Sequence, residues 1–494
     1  MTHAQTHSSW TERLKQFVPW QTTSQGKRPP TLEGALPVAG HSVEFLRDPM
    51  GLIDRGHRSL GEAYHLKLFN VEAAVLTGPE ANEAIFRASD EQLSPKEAYK
   101  LMTPIFGRGI AYDAEPKVMS EQLSFFFPAL RKVRMDTYAA HMTQETQAYT
   151  EQWGDEGEVD LAEMMNELTM YVSSRCLLCV EFREKLNREF ADLYHDLERG
   201  VHPLAYFFPN APIPTFLRRN RARVRMRELL SVIIAERRRG SVVGEDFLQT
   251  LMDANYRDGR KLTDDEITGL LLAIVFAGHH TSAVLATWTG VELLQHPQYL
   301  PDILAEQEKV HDNRSDRVTS ESLRKIPHLE HAVMEAERLH PPLVLLMRKA
   351  LQDFHFRDYV IPAGDLIIAS PLVSNRSDKV FSNPQVYAPE RFAPGREEHK
   401  KHPYSMTTFG GGKHICMGLH FAHMQVKAIW SVLLQQFEFE LASSSYEPSF
   451  EYLVVGPRRP CLLRYKRRDL SKRKSSPKNG GKSKGSATST AHAA

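Results

Sequence analysis

Hydrophobic and polar positions along the 494-residue chain follow two different periods. Short apolar or alternating runs bounded by turn residues predict strands near both ends of the chain. Between about Ser120 and His340 the apolar spacing is instead helical. The pattern therefore predicts a mainly α-helical protein with small β-sheets, whose strands cover residues 65–69, 73–76, 354–356, 359–361 and 366–370.

The clearest helix runs from Asp264 to about His296. Thr263 is a suitable N-cap and Glu266 completes a capping box, while Pro297 marks the end. Residues 270–276 are apolar on all sides, which predicts a helix that passes through the core.

A polar break follows that apolar run, with the sequence Ala277-Gly-His-His-Thr281-Ser. Small residues followed by polar ones in a buried helix indicate a place where another group packs closely. The structural alternative is a kink in which Thr281 bonds back to a carbonyl. Both can hold, because a helix opened by a hydroxyl leaves room for a small ligand.

Composition favours a large soluble globular protein, with 41% hydrophobic and 25% charged residues. Four cysteines are too few for a disulfide framework, so we expect a reducing cytoplasm. Cys176 and Cys179 lie in an apolar run and are expected on one face of a buried helix. The polar N-terminus predicts neither a signal peptide nor a membrane anchor, although a surface patch could still contact a membrane.

The formal net charge of +1 hides a basic C-terminus. Residues 466–494 contain nine Lys or Arg and one acid, and they lack apolar periodicity. This composition predicts a disordered tail, which could be a nucleic-acid arm, a docking arm for an acidic partner, a linker or a solvated tail. We therefore expect an N-terminal extension over 1–36, one domain over 37–465 and a tail over 466–494.

The run Phe409-Gly-Gly-Gly-Lys-His-Ile-Cys416-Met-Gly418 carries the most specific chemistry. Its glycines allow a sharp turn and a close approach to a flat cofactor. A cysteine at the start of an apolar helix meets free N–H groups and the helix dipole, which favour a thiolate that can ligate haem iron. The alternative for a lone cysteine is a buried structural role, and a phosphate loop fails because His414 follows Lys413.

This run resembles the haem-binding loop of the cytochrome P450 family. Residues 277–282 resemble the oxygen-activating segment of that family's central helix. The resemblance implies the cytochrome P450 fold, a long central helix over haem b, and Cys416 as the axial thiolate ligand. It also implies that Glu335 and Arg338 bind Arg391 in a buried clamp for the haem loop.

Residues 99–113 resemble the substrate-recognition loop of sterol 14α-demethylases, and the doubled His279-His280 and the segment 197–200 are typical of the same subfamily. The resemblance covers residues 37–464. It implies a monooxygenase that removes the 14α-methyl group of a sterol in three successive oxidations with release of formate. Leu101, where a Phe accompanies sterols with one C4 methyl, implies lanosterol or a similar 4,4-dimethyl sterol.

The same resemblance implies roles residue by residue. Cys416 ligates the metal, His280, paired with Glu198, passes protons to the bound oxygen, and Thr281 steadies the hydroperoxide. Ser120 departs from the pattern, because relatives often carry a basic haem-anchoring residue there. The implied haem contacts are Tyr99, Arg348, Phe409, Gly410 and His414, and the implied sterol contacts are Leu101, Phe106, Tyr112, Phe276, Ala277 and Met347.

Each oxidation needs O2 and two electrons, yet the sequence has no flavin or nicotinamide fingerprint and too few cysteines for an iron–sulfur cluster. A separate ferredoxin, or one formerly joined through the tail, is the expected donor in a bacterial cytoplasm. We expect a monomer with no nucleic-acid partner. Two alternatives are a cytochrome P450 acting on another terpenoid and a non-catalytic haem-thiolate binding protein. The His280-Thr281 pair argues against the second.

Overall fold

Helices are the main secondary structure in the computed structural model, which describes residues 26–178, 188–240, 246–312, 314, 318–450 and 453–469. The α-helices are α1 (Ser42–Arg47), α2 (Pro49–Leu60), α3 (Pro79–Arg87), α4 (Pro95–Ala98), α5 (Thr103–Phe106), α6 (Pro116–Ser124), α7 (Lys132–Glu151), α8 (Leu161–Leu177), α9 (Arg188–Arg199), α10 (Pro214–Arg238), α11 (Phe247–Asp253), α12 (Asp264–Gly278), α13 (His280–Gln295), α14 (Leu300–His311), α15 (Ser320–Leu323), α16 (Pro327–Leu339), α17 (Pro371–Ser374) and α18 (Leu419–Gln436).

Short strands form sheets beside the helices: β1 (Ala63–Leu68), β2 (Val71–Leu76), β3 (Leu93–Ser94), β4 (Glu156–Asp160), β5 (Leu346–Ala350), β6 (Phe354–Phe356), β7 (Tyr359–Ile361), β8 (Leu366–Ala369), β9 (Phe437–Leu441) and β10 (Leu462–Arg467). A five-stranded sheet has the order β1-β2-β8-β5-β3, with only β2 and β8 parallel among its described neighbours. The order β4-β10-β9 forms an antiparallel sheet, and β6 pairs with β7.

The predicted strands are confirmed. β1 and β2 form the expected hairpin, and β6, β7 and β8 lie where the turn pattern placed them, with β8 one residue shorter. The sequence did not predict the sheet of β4, β9 and β10. The reason is visible in β4, whose residues Glu156–Asp160 are charged and largely exposed and therefore lack an apolar alternation.

The predicted central helix exists but is distorted at one residue. Thr263 and Glu266 form the capping box, and α12 ends at Gly278, one residue before α13 begins. His279 stays in the right-handed helical region at φ −88° and ψ −76°, and its backbone bonds to Val275 and Ala283, so the predicted helix continues through a local distortion at this residue. Within the described chain, only residues 264–295 are long and apolar enough to span a membrane, and 67% of their most apolar window is buried, as in a core helix.

Both chain ends differ from the expected boundaries. The Lys27 carbonyl accepts from the Val360 amide at 3.0 Å, so contacts with the sheets begin before residue 37. The tail prediction is wrong for Lys466 to Arg468. Lys466 lies in β10 between β4 and β9, and Arg468 donates to two main-chain carbonyls at 2.9 Å. The rest of the predicted tail, like Cys179 and the first 25 residues, lies outside the described chain.

Candidate active site

The helix α12 and the loop of residues 409–418 both carry exposed groups. Ala277 is exposed although it lies in the most apolar helix of the core. Ile415, at 53% exposure, and the thiol-bearing Cys416 are also exposed. Exposed apolar and thiol groups on two elements of a helical protein are typical of the lining of a binding cavity.

Tyr112 links this cavity to the recognition loop, residues 99–113. Its ring is 39% exposed, yet burial within the protein raises the pKa of Tyr112 to about 12. Tyr99 and Cys416 add to that rise in pKa and Arg348 opposes it, so the three residues lie near the Tyr112 hydroxyl. Tyr99 also stacks on Tyr112, with ring centroids 4.9 Å apart, and accepts a hydrogen bond from the Met347 amide at 3.1 Å.

Glycines shape the cysteine loop. The Cys416 amide donates to the Phe409 carbonyl at 2.8 Å, which closes the loop. Gly410 and Gly412 have φ of +72° and +58°, a region that favours glycine. A Cβ on Gly412 would lie 2.0 Å from the Phe86 carbonyl oxygen. The sequence therefore needs glycine here to hold the loop flat against α3.

The thiol of Cys416 lies at the start of α18. Burial raises the pKa of Cys416, and hydrogen bonds from the backbone of Gly418 and Leu419 only partly offset that rise. The backbone N–H groups at the helix start act on this pKa in the expected direction, and burial opposes them. A bound metal cation would deprotonate a coordinating thiol outright. The flat glycine turn, the N–H donors and the facing cavity thus fit a thiolate-ligated haem.

His414 is engaged by an acid that the sequence did not identify. Its Nε2 lies 2.5 Å from Oδ1 of the buried Asp90, and Lys413 binds Oδ2 at 2.7 Å. Burial lowers the pKa of His414, and the bond to Asp90 opposes this only partly. Only Nδ1 is then left for a haem propionate. Ser120 is exposed on α6 and supplies no cation.

Glu198 lies between two histidines of the central helix. Its Oε1 is 3.3 Å from Nδ1 of both His279 and His280. Burial alone would raise the pKa of Glu198, but the neighbouring rings of His195, His279 and His280 hold that pKa well below its usual range. Tyr194, one helical turn before it, hydrogen-bonds to it, a contact that the i, i+4 spacing could have indicated.

Thr281 makes the predicted back-bond. Its hydroxyl donates to the Ala277 carbonyl at 2.6 Å, across the distortion at His279. This places a hydroxyl and the His280 ring together at the polar break in the helix, next to the cavity that Ala277 lines.

Glu335, Arg338 and Arg391 lie together in the core, all 0% exposed. Arg338 binds the Glu335 carboxylate through two nitrogens at 2.7 and 2.8 Å, and Arg391 binds it at 2.8 Å. Arg391 also donates to Glu398 at 3.0 Å. The second carboxylate balances the second cation, so the network is electrically complete.

Asn375 connects this clamp to the cysteine loop. Its carbonyl accepts from Arg338 at 3.2 Å, while its side chain donates to the Thr408 hydroxyl at 2.9 Å and accepts from the Thr407 amide at 3.0 Å. Thr408 directly precedes Phe409. Sequence reasoning missed this link, because an isolated Asn between two helices gives no pattern.

The predicted sterol contacts form a wall around the cavity. The Phe106 and Phe276 rings meet edge to face, 5.8 Å apart. Leu101, Phe106 and Met347 are 2%, 4% and 1% exposed, so they lie mostly behind the cavity surface. Ala277 and Tyr112 supply its accessible part.

Comparison with known proteins agrees with this geometry. The sequence model of the cytochrome P450 family matches residues 29–463. A sterol 14α-demethylase of Mycolicibacterium vanbaalenii is 40% identical over 90% of this chain and 98% of its own length. An obtusifoliol 14-alpha demethylase of Sorghum bicolor is 39% identical (92% and 94%), and a lanosterol 14-alpha demethylase of Rattus norvegicus is 33% identical (91% and 89%). A cyanobacterial CYP120A1 with bound retinoic acid has the same fold, with a TM-score of 0.82 at 23% identity over 90% of this chain and all of that one.

Proposed function

Because this chain belongs to the cytochrome P450 family, and within it to the sterol 14-demethylases, we propose that it removes the 14α-methyl group of a sterol with two methyl groups at C4, such as lanosterol. The methyl group becomes an alcohol, then an aldehyde, and leaves as formate while a ring double bond forms. Each of the three oxidations consumes one O2, two electrons and two protons. The observation that carries the proposal is the contact of the buried Glu198 with His280, beside Thr281 at the polar break in the central helix.

Members of this family use a thiolate-ligated haem b, which supplies the oxidant when bound. Cys416 would be its axial ligand, supported by the loop that Phe409 and Gly410 shape. Tyr99, Arg348 and the free Nδ1 of His414 would hold the propionates.

The apolar wall suits a rigid, apolar substrate. Leu101, Phe106, Phe276 and Met347 give the ring system shape contacts and exclude water, and Tyr112 gives the cavity a hydroxyl group. Leu101 is smaller than the Phe that accompanies 4-monomethyl sterols, so it leaves room for a second C4 methyl.

Protons would reach the cavity through the histidine pair. Glu198 would orient the His280 ring through its 3.3 Å contact with Nδ1, and its other carboxylate oxygen lies 3.9 Å from Nδ1 of His195 on the far side. Thr281 presents its hydroxyl beside that ring. A positioned acid of this kind typically contributes ~10²–10⁴-fold to the rate.

Electrons would come from a separate ferredoxin. Six Lys or Arg residues between 472 and 484 give the C-terminal segment a charge that attracts an acidic partner. Salt weakens such attraction, so reduction should slow as ionic strength rises.

We place the enzyme in a bacterial cytoplasm with a peripheral contact to membrane, from which a sterol is taken up. Val38 is 96% exposed. Phe69 lies beside it, because the Phe69 amide donates to the carbonyl of the next residue, Ala39, at 3.4 Å. Phe69 in turn lies 6.2 Å from the exposed Phe208 ring. This apolar patch, with Leu36, would rest on lipid.

A sterol titration tests the proposal. Lanosterol should shift the Soret absorbance of the holoenzyme in a saturable way, and a reconstituted system with ferredoxin should release formate in proportion to demethylated sterol. Hydroxylation without formate would favour a cytochrome P450 for another terpenoid. A Soret shift without turnover would favour a non-catalytic binding protein.

A further inference from the structure

Arg223 of α10 touches two other elements of the site. Its Nη2 donates to the main-chain carbonyl of Phe106 and to Oδ1 of Asp265, both at 3.1 Å. Phe106 belongs to the recognition loop and Asp265 to the first turn of the central helix. One guanidinium thus ties α10, the recognition loop and α12 together.

The contact depends on two glycines. A Cβ on Gly107, which has a φ of +111°, would lie 3.2 Å from Nη2 of Arg223. A Cβ on Gly269 of α12 would lie 2.2 Å from the Phe106 carbonyl oxygen. Larger residues at either position would push the carbonyl away from the guanidinium. The sequence therefore keeps this corner of the loop tight against the central helix.

A second anchor fixes the far side of the loop to the same helical turn. The buried Gln122 accepts from the Ala111 amide at 2.8 Å and donates to the Gly109 carbonyl at 2.9 Å. Gln122 also donates to the Tyr256 hydroxyl at 3.0 Å, and that hydroxyl donates to Glu266 at 2.9 Å. The Gln122 anchor does not reach Phe106, so Arg223 alone holds that carbonyl among the described contacts.

Stability does not account for Arg223. It is 9% exposed, and its Nε is buried without a hydrogen-bond partner. Its carboxylate partner Asp265 is 49% exposed, and an ion pair with a solvent-exposed partner contributes little to stability. A buried guanidinium that lacks a full set of hydrogen bonds is costly, so its role at this junction is to fix the positions of the loop and the helix.

We propose that Arg223 is a positioning residue for sterol selection, which rests on the proposed function because the sterol is the ligand. By holding the Phe106 carbonyl, it fixes the Phe106 ring against Phe276 and sets the cavity wall beside Leu101. It also couples α10 to the loop, so that the two move together when a large ligand enters or leaves.

The test compares Arg223→Met with Arg219→Met in the holoenzyme. Arg219 lies one turn earlier on α10, is fully buried, and donates to the Pro209 carbonyl but not to the loop. Arg223→Met should raise the lanosterol Kd and KM roughly tenfold, about 1.4 kcal/mol, with kcat nearly unchanged. It should also reduce discrimination against a 4-monomethyl sterol. Imidazole, which is too small to reach the loop, should bind as in the parent protein.

Hydrogen exchange of the sterol-free holoenzyme supplies a second readout. Amides of residues 107–113 should exchange faster in Arg223→Met and not in Arg219→Met. Unchanged exchange and sterol affinity would overturn the anchor, and so would equal losses in both variants. Faster exchange in a protein whose parent binds no sterol would support the anchor and overturn the proposed function instead.

Discussion

Nδ1 of His280 lies 3.3 Å from Oε1 of Glu198, across the contact between the central helix and α9. Removing the carboxylate charge should leave the His280 ring without the partner that orients it. We expect Glu198→Gln to lower kcat by roughly 10²-fold. The sterol Kd and the Soret spectrum should not change. Steady-state turnover together with the solvent isotope effect on kcat measures this.

The matched control is Glu189→Gln, on the same helix but exposed and bound to Arg225. It should behave as the parent enzyme. Parent-like turnover in Glu198→Gln would remove Glu198 from the proton path.

Cys416→Ser should abolish the Soret band that marks thiolate ligation in the reduced carbon-monoxide complex, because an alcohol does not ligate haem iron in that way. Cys461→Ala provides the comparison, since Cys461 is a buried thiol in the C-terminal sheet region. It should keep the band. A serine variant that retained the band would show that another group ligates the iron.

Arg391→Ala should destabilise the fold by ~3–5 kcal/mol, because it leaves Glu335 and Glu398 buried with one cation fewer. The haem loop should loosen through Asn375, so haem content should fall as well. Urea unfolding and the haem-to-protein ratio measure both effects. Arg396→Ala, which removes a 39% exposed arginine from the same Glu398, should cost less than ~1 kcal/mol. Equal losses would count against the clamp.

Leu101→Phe should shift preference from lanosterol toward a 4-monomethyl sterol by ~1–3 kcal/mol in relative kcat/KM, since it fills space in an apolar wall. Leu101→Met nearly conserves volume and should leave the ratio close to that of the parent. Competition between the two sterols in one reaction gives the ratio directly. A constant ratio across all three proteins would refute the role of Leu101.

Acid should weaken the fold through His311. This ring is fully buried between Gln307 and Ser322, and burial lowers the pKa of His311 to about 4. Below pH ~6.5 His311 binds a proton in the unfolded chain but not in the folded chain. The free energy of unfolding therefore falls as pH drops from ~6.5 to ~4, by up to roughly 3 kcal/mol. Urea midpoints of the parent and of His311→Gln should converge over that range. Parallel curves would contradict the assignment.

Local patterns predicted much of the fold. The β1–β2 hairpin, the strands around Gly364 and the capping box of α12 all follow from periodicity, turn residues and caps that lie within a few positions of one another. The tail boundary failed for the opposite reason. Lys466 and Arg467 look like solvated charge, and only pairing with β4 and β9 makes them a strand.

The sequence predicted the site residues that belong to family motifs. It did not predict contacts between residues that are far apart in the chain. Cys416 and Thr281 belong to short, specific runs. Asp90, in contrast, reaches His414 across most of the chain, and Arg223 reaches the Phe106 carbonyl from another helix. Neither contact leaves a periodic trace, because tertiary packing alone creates it.

The parallel pairing of β2 with β8 constrains the order in which the chain folds during synthesis. Leu76 pairs with Ala369, a separation of roughly 290 residues that makes this sheet slow to form. During synthesis the early hairpin emerges with the β2 edge uncovered, and such an edge is prone to pair wrongly. β4 can pair only after β10, which lies closer to the C-terminus, has been synthesised. Chains that terminate before residue 369 should therefore aggregate and not fold in part. Expression of the full chain should depend on chaperones that bind exposed strand edges.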